Sequence, residues 1–161
     1  MSEVTDKQRF DVLCQITRAQ HFAWRAAVAE VIPAADVPAV VDRMWALTGE
    51  QTGAAYARRL DLNKPLAQQL ARSFVWSSEC MGEDAEVQSG ETEEAFVRHG
   101  ACPWFHWHER LGLVAEDRPG CDAWFAATID CVNRTCGVNI KFETLETLPD
   151  GGSCCLRRVW E

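Results

Sequence analysis

The chain is short of base. Its 16 lysines and arginines stand against 24 acids, a net charge of −8. Such a surface repels phosphate backbones and anionic headgroups, so neither a nucleic-acid partner nor a membrane partner is expected. Long apolar runs are missing too: none approaches the ~20 residues that span a bilayer. The opening Met-Ser-Glu-Val-Thr-Asp lacks the basic start and apolar stretch of a secretory signal. The expected compartment is the cytoplasm. No Cys-x-x-Cys pair occurs, which removes the spacing of a zinc knuckle or a thioredoxin site. EF-hand spacing, internal repeats and low-complexity segments are also absent.

What remains is a 161-residue chain, 47% hydrophobic and 25% charged, the size of one domain. It holds eight cysteines, seven of them from Cys80 onward. In a reducing compartment these are expected as free thiols, most of them small buried apolar residues. Seven tryptophans fit either a cavity with aromatic walls or a well-filled core.

The two halves differ. Residues 1–80 are neutral and helical in pattern, and residues 81–161 carry the whole excess of acid. Thr5 and Gln8 have capping-box spacing. Phe10, Leu13, Cys14, Thr17, His21, Trp24, Val28 and Val31 then recur at three and four residues, predicting a long helix that ends before Pro33. Asp36 and Pro38 open a second helix, whose course past Gly49 and Gly53 is open. Asn63 and Pro65 open a third. Glu83–Ser89 and Glu93–His99 flank Gly90 as a hairpin within a run of acids expected to be solvated. A short helix is expected from Cys102 to Leu113, a turn at Asp117-Arg-Pro-Gly, and a helix from about Cys121 to Asn133. Val138, Ile140 and Phe142 alternate as a strand, and Ser153–Trp160 returns after Pro149-Asp-Gly-Gly. The expected fold class is therefore α+β: N-terminal helices, then an antiparallel sheet of two hairpins with two short helices between them.

Several residues are candidates for chemistry. Cys121, placed at a helix start, would meet unpaired amides and the positive dipole end, which favour thiolate. Asp122 beside it would orient a base or bind a cationic group. Cys102 and His106 are four apart on the expected helix face, the pair needed for a Cys–His nucleophile. Cys102, His106 and Cys121 are alternatively ligands for zinc or iron. His108 shares that face only in an extended segment. His21 on the first helix lines a ligand cavity or sits in the core. Asn133 and Arg134 read as site residues or as helix-end chemistry. Cys154 and Cys155 are neighbours on a strand, where alternation turns one inward and one out.

The C-terminal half resembles the L-2-amino-thiazoline-4-carboxylic acid hydrolase family. The matching pieces are Cys102 in Cys-Pro-Trp-Phe, Leu111-Gly112, Cys121-Asp122, Asn133, and the ending Glu143-Thr144 through Thr147, Gly151 and Cys154-Cys155. The resemblance covers residues 95–160 and implies hydrolytic opening of a thiazoline ring at its C=N carbon, giving an N-carbamoyl amino acid. It implies roles for Cys102, Cys121, Asp122, Asn133 and Cys154 or Cys155. Family members often carry an arginine before the threonine of the penultimate strand, where this chain has Glu143. That departure favours a neutral or cationic small molecule over a carboxylate.

The leading reading is a small cysteine-dependent hydrolase of a non-peptide C–N bond, needing no cofactor. Cys121 is its nucleophile, Cys102 the second choice, and His106 the general base. Trp104, Trp107, Trp124, His21, Glu143, Cys154 and Cys155 contact the substrate. Cys102, His106, Cys121 and one of the adjacent cysteines are expected around one cavity between sheet and helices. The rivals are a Cys/His metal enzyme and a non-enzymatic small-molecule sensor or carrier. The oligomeric state is open, a homodimer included.

Overall fold

Helix α1 (Asp6–Val31) starts on the expected capping box. Thr5 Oγ1 accepts from the Gln8 amide at 3.2 Å, and the Gln8 side chain accepts from the Thr5 amide at 2.9 Å. The computed structural model of the chain describes residues 3–90 and 93–161. The buried line of α1 is Cys14, Arg18 and Phe22, while Leu13 and Val31 are 62% and 77% exposed. The apolar stripe of the sequence thus faces largely outward. Arg18 goes inward instead because its guanidinium donates to the Met81 carbonyl at 2.8 Å.

Helix α2 (Val37–Ala57) is capped by Asp36 and has a proline in its first turn. It runs straight through Gly49 and Gly53, because those two positions touch the backbone of another helix, α5 (Val114–Cys136). A Cβ on Gly49 would lie 2.5 Å from the Trp124 carbonyl oxygen, and one on Gly53 2.5 Å from that of Thr128. The two helices pack along nearly their whole lengths. Helix α3 (Leu66–Cys80) is not capped by Asn63. Its first amides, Leu66 and Ala67, donate to the Glu161 carboxylate at 2.7 and 3.4 Å.

The strands are β1 (Asp84–Ser89), β2 (Glu94–Ala101), β3 (Lys141–Glu146) and β4 (Cys155–Trp160). They form one antiparallel sheet in the order β1-β2-β4-β3, so the two hairpins join through β2 and β4. The α+β class and the order of elements are those expected. Glu91, part of the acidic run, lies outside the described residues. Helices α3 and α5 cover one face of the sheet, with Leu70, Phe74, Val97, Phe125, Ile129 and Val159 buried between.

The region between the hairpins departs from expectation. Helix α4 (Pro103–Leu111) is short, but α5 is 23 residues long and begins seven residues before Cys121. Asp117-Arg-Pro-Gly is therefore helix and not a turn. Pro119 lies inside α5, where it has no amide to give the Ala115 carbonyl. No helix among the described residues is long and apolar enough to cross a membrane.

Candidate active site

A buried polar cluster forms at the end of the sheet where β2 finishes and β1 and β4 begin. Its first member is placed by the end of α3. Gly82 takes a left-handed backbone, φ +75°, so the Gly82 and Glu83 amides fold back to the Glu79 and Ser78 carbonyls. This return lays Glu83 over Ser78. The position more often brings an apolar contact; here it brings a carboxylate against a hydroxyl. The Glu83 side chain is only 12% exposed. Ser78 and the Trp104 indole donate to it, and Arg18 and Arg157 act on it electrostatically, but burial prevails and pushes its carboxyl up to about 7.

Strand β2 contributes His99, the inward residue that follows Ala95 and Val97. Its Nε2 lies 2.8 Å from Ser78 Oγ and 3.4 Å from Glu83 Oε2. Its Nδ1 is buried and has no partner among the described residues. Burial, and then the charge of Arg157, hold its pKa down at about 4, so the ring is neutral near pH 7. Strand β4 brings Cys155 opposite His99, and Arg157 two residues on. Arg157 is 1% exposed. It lies 4.5 Å over the Phe125 ring, donates to Asp122 at 3.2 Å, and leaves its Nε without a partner among the described residues.

Two thiols complete the cluster. Cys102 is the N-cap residue of α4, where the Phe105 amide favours the thiolate. Burial and the neighbouring Glu83 charge outweigh that and push the thiol strongly up. Cys121 lies within α5, away from any helix terminus, and burial pushes it up to about 12. The helix-start position expected for Cys121 thus belongs to Cys102. Cys102 senses the charge of Cys121, and Cys121 senses that of Cys155, which places the three thiols in one neighbourhood.

The other sequence candidates separate into groups. His106 points outward, with a side chain 68% exposed and paired to Glu109 at 3.1 Å. Pro103 opens α4 after Cys102, and it is His108 that turns inward. His108 Nδ1 lies 2.8 Å from the buried Asp117 carboxylate and 3.0 Å from the Trp104 carbonyl oxygen. With His106 outside, Cys102, His106 and Cys121 do not converge. No group of three or more His, Cys, Asp and Glu among the described residues is arranged to hold a metal ion. Asp122 binds Thr144 Oγ1 at 2.8 Å and Arg157 at 3.2 Å. Asn133 makes two 2.8 Å bonds to the Ile140 backbone and fixes the connection from α5 to β3.

Glu143 is on the outer face of β3, exposed and paired with Arg158. The inward residue is Thr144, directly opposite Arg157. The departure at Glu143 therefore leaves the buried site its cation. Trp124 belongs to the core, packed on Phe74 and Phe125. Trp107 stacks on Phe22 of α1. Trp104 spans both environments, reaching Glu83 on one side and His21 and Trp45 on the other. His21 is held down at about 4 by burial, then by His108. Cys154 and Cys155 are both buried, because Cys154 lies in the bend before β4, where strand alternation does not apply.

Glu83, His99, Ser78 and Arg157 were not among the expected site residues. His99 and Arg157 each continue an inward alternation of apolar residues and carried that signal. Glu83 was hidden in its acidic run.

Thiol chemistry follows from these environments. All eight cysteines are free, and Cys80 alone is exposed. With a pKa near 12, about one Cys121 in ten thousand is thiolate at pH 8. Iodoacetamide is expected to label Cys80 first and Cys121 far more slowly, the reverse of the order a helix-start thiol would give. Peptide mapping of a time course reads the order.

Comparison with known proteins places this site in a family. The family model for L-2-amino-thiazoline-4-carboxylic acid hydrolase matches residues 14–159, and the chain belongs to that family. The match reaches well into the helical half, beyond the C-terminal stretch that carries the sequence resemblance. The family name denotes a hydrolase. No curated protein matches the chain. Among solved structures, a trafficking protein particle complex subunit 3 from Naegleria fowleri, covalently bound to palmitic acid, has the same fold. Its TM-score is 0.54 at 12% identity, over 93% of this chain and 95% of that one.

Proposed function

We propose that the chain hydrolyses a small cyclic amidine bearing a carboxylate, at the buried site around Cys102, Glu83, His99 and Arg157. The observation that carries this reading is Arg157. Its guanidinium is 1% exposed and one donor has no partner among the described residues. An unmet buried donor costs about 1–3 kcal/mol, more for a charged group. A substrate carboxylate meets that need and offsets the buried charge.

Cys102 supplies the nucleophile. Its sulfur adds to the C=N carbon and its proton passes to the Glu83 carboxylate. The ring heteroatom then leaves from that carbon and takes the proton from Glu83, so the ring opens with the carbon held on Cys102. Water displaces the sulfur, giving the carbamoyl product and the free thiol. A thiol kept protonated by burial suits this order, because it becomes a nucleophile only as its proton moves.

The test uses two substrates, the thiazoline carboxylate of the family name and the same ring lacking the carboxylate. Arg157→Met keeps the volume of the side chain and leaves Asp122 its bonds to Thr144 and Arg118. It is expected to lower kcat/KM on the acid about 100-fold, the value of a charged hydrogen bond of about 3 kcal/mol. Turnover of the neutral ring is expected to change little. Equal losses on both substrates would remove Arg157 from substrate recognition.

A carrier is the second reading, favoured by the fold shared with a protein covalently bound to palmitic acid. Multiple turnover of either ring by the wild-type protein argues against it. A stable acyl adduct without turnover supports it.

A further inference from the structure

We infer that His99 is the general base for the hydrolytic water, acting through Nδ1, with Glu83 placed to stabilise the imidazolium that results. This rests on the hydrolytic reading above and adds a residue that reading leaves without a role.

Hydrogen-bond accounting assigns the tautomer. The indole of Trp104 can only donate, and it donates to Glu83. The Ser78 hydroxyl can donate or accept, so the neighbouring Glu83 carboxylate decides. Ionised, it only accepts, and it repels a bare lone pair on the nitrogen facing it at 3.4 Å. That leaves the Ser78 oxygen as an acceptor toward His99. His99 Nε2 faces that oxygen at 2.8 Å and the Glu83 carboxylate at 3.4 Å, two acceptors. Nε2 therefore carries the proton and Nδ1 is a bare lone pair. That lone pair is buried without a partner among the described residues. A buried acceptor with nothing to accept from is the place for a ligand donor or a water.

The same accounting excludes Ser78 as a nucleophile activated by His99. The ring holds Nε2–H toward the serine, so it has no lone pair there to take a proton. The arrangement is a carboxylate–histidine dyad whose free nitrogen faces away from the carboxylate.

The step balances. His99 Nδ1 takes one proton from water, and the hydroxide adds to the carbon held on Cys102. The carbon–sulfur bond breaks, and the departing Cys102 thiolate recovers the proton from His99. A neutral imidazole kept weakly basic by burial gains from Glu83 only as the proton arrives. The ionised groups facing Glu83 are Arg18 from α1 and Arg157 from β4, with the thiols of Cys102 and Cys121 beside them. Because the Glu83 carboxyl sits near 7, turnover is full above that pH and falls as pH drops through it. His99 itself stays unprotonated down to about 4.

Nitrogen NMR of ring-labelled histidine in the wild-type protein at pH 8 is the readout independent of activity. It is expected to show His99 protonated at Nε2 and bare at Nδ1; the opposite tautomer overturns the inference. With the thiazoline carboxylate as probe, His99→Gln is expected to lower kcat by about 100- to 1,000-fold and KM with it, leaving kcat/KM little changed, because only breakdown of the adduct slows. It is also expected to accumulate an adduct on Cys102 in acid-quenched samples. Glu83→Gln, which cannot take the Cys102 proton, is expected to lose most of the rate at every pH, and its residual rate is expected to show no fall near pH 7. Unchanged kcat in a folded His99→Gln protein overturns the role of His99. Slow turnover in that variant with no adduct, the wild-type tautomer standing, leaves His99 as base and overturns the covalent reading instead.

Discussion

Cys102→Ser is expected to lower hydrolysis of the thiazoline carboxylate roughly a thousandfold or more while leaving the fold intact. Cys102 occupies the N-cap position, where serine is at least as favourable as cysteine, so the substitution does not weaken α4. The loss is chemical. A serine hydroxyl holds its proton far more tightly than a thiol does, so a carboxylate beside it scarcely activates it. Glu83 is the charge that acts most strongly on Cys102, and it lacks the basicity to activate a hydroxyl. Cys121→Ser is the matching control. That thiol lies in the same neighbourhood but within α5, without a helix-end amide, and its removal is expected to cost at most tenfold. A steady-state assay on both purified variants checks the pair. A larger loss from Cys121 than from Cys102 would exchange their roles.

Gly53→Ala is expected to destabilise the protein by about 3 kcal/mol. Helix propensity alone predicts the opposite sign, a gain of about 1 kcal/mol from replacing glycine within a helix. The contact decides. A methyl at position 53 would sit 2.5 Å from the Thr128 carbonyl oxygen and 2.6 Å from Cys131 Cβ. Neither neighbour is the end of a flexible chain, so α2 and α5 must separate. Separation loosens Tyr56, buried on the same face of α2. It also breaks the bond from Thr128 to the Gly49 carbonyl, 3.2 Å long. Gly49→Ala meets the Trp124 carbonyl in the same way and is expected to behave alike. At this chain length the loss is about 10 °C in Tm, which thermal unfolding followed by circular dichroism reads. A stabilised Gly53→Ala protein would show that the helices can part at little cost.

Legibility followed how local the information was. The caps of α1 and α2 were readable because Thr5 with Gln8, and Asp36 with Pro38, carry their partners within four residues. The cap of α3 was not, since Glu161 reaches Leu66 from the far end of the chain. The start of α5 was misplaced because Arg-Pro-Gly is turn chemistry on propensity alone, and packing against α2 overrides it. That single shift moved the helix-end thiol from Cys121 to Cys102.

The site was half visible. Its cysteines stood out as a residue type. Arg157 and His99 needed the alternation of β4 and β2 to be read as pointing inward. Choosing His106 over His108 followed from counting four residues from Cys102 as though both lay within one helix. Cys102 precedes the helix, so the register shifts, and Asp117 of α5 draws His108 inward. Glu83 needed the left-handed Gly82 that folds it back over Ser78. Charge alone places such a residue at the surface.

The most direct test of the account is mass spectrometry of the wild-type protein quenched in acid during turnover of the thiazoline carboxylate. The account predicts an adduct of the opened ring on the peptide that contains Cys102 and on no other cysteine. Steady turnover with Cys102 unmodified, together with full activity in Cys102→Ser, would contradict it.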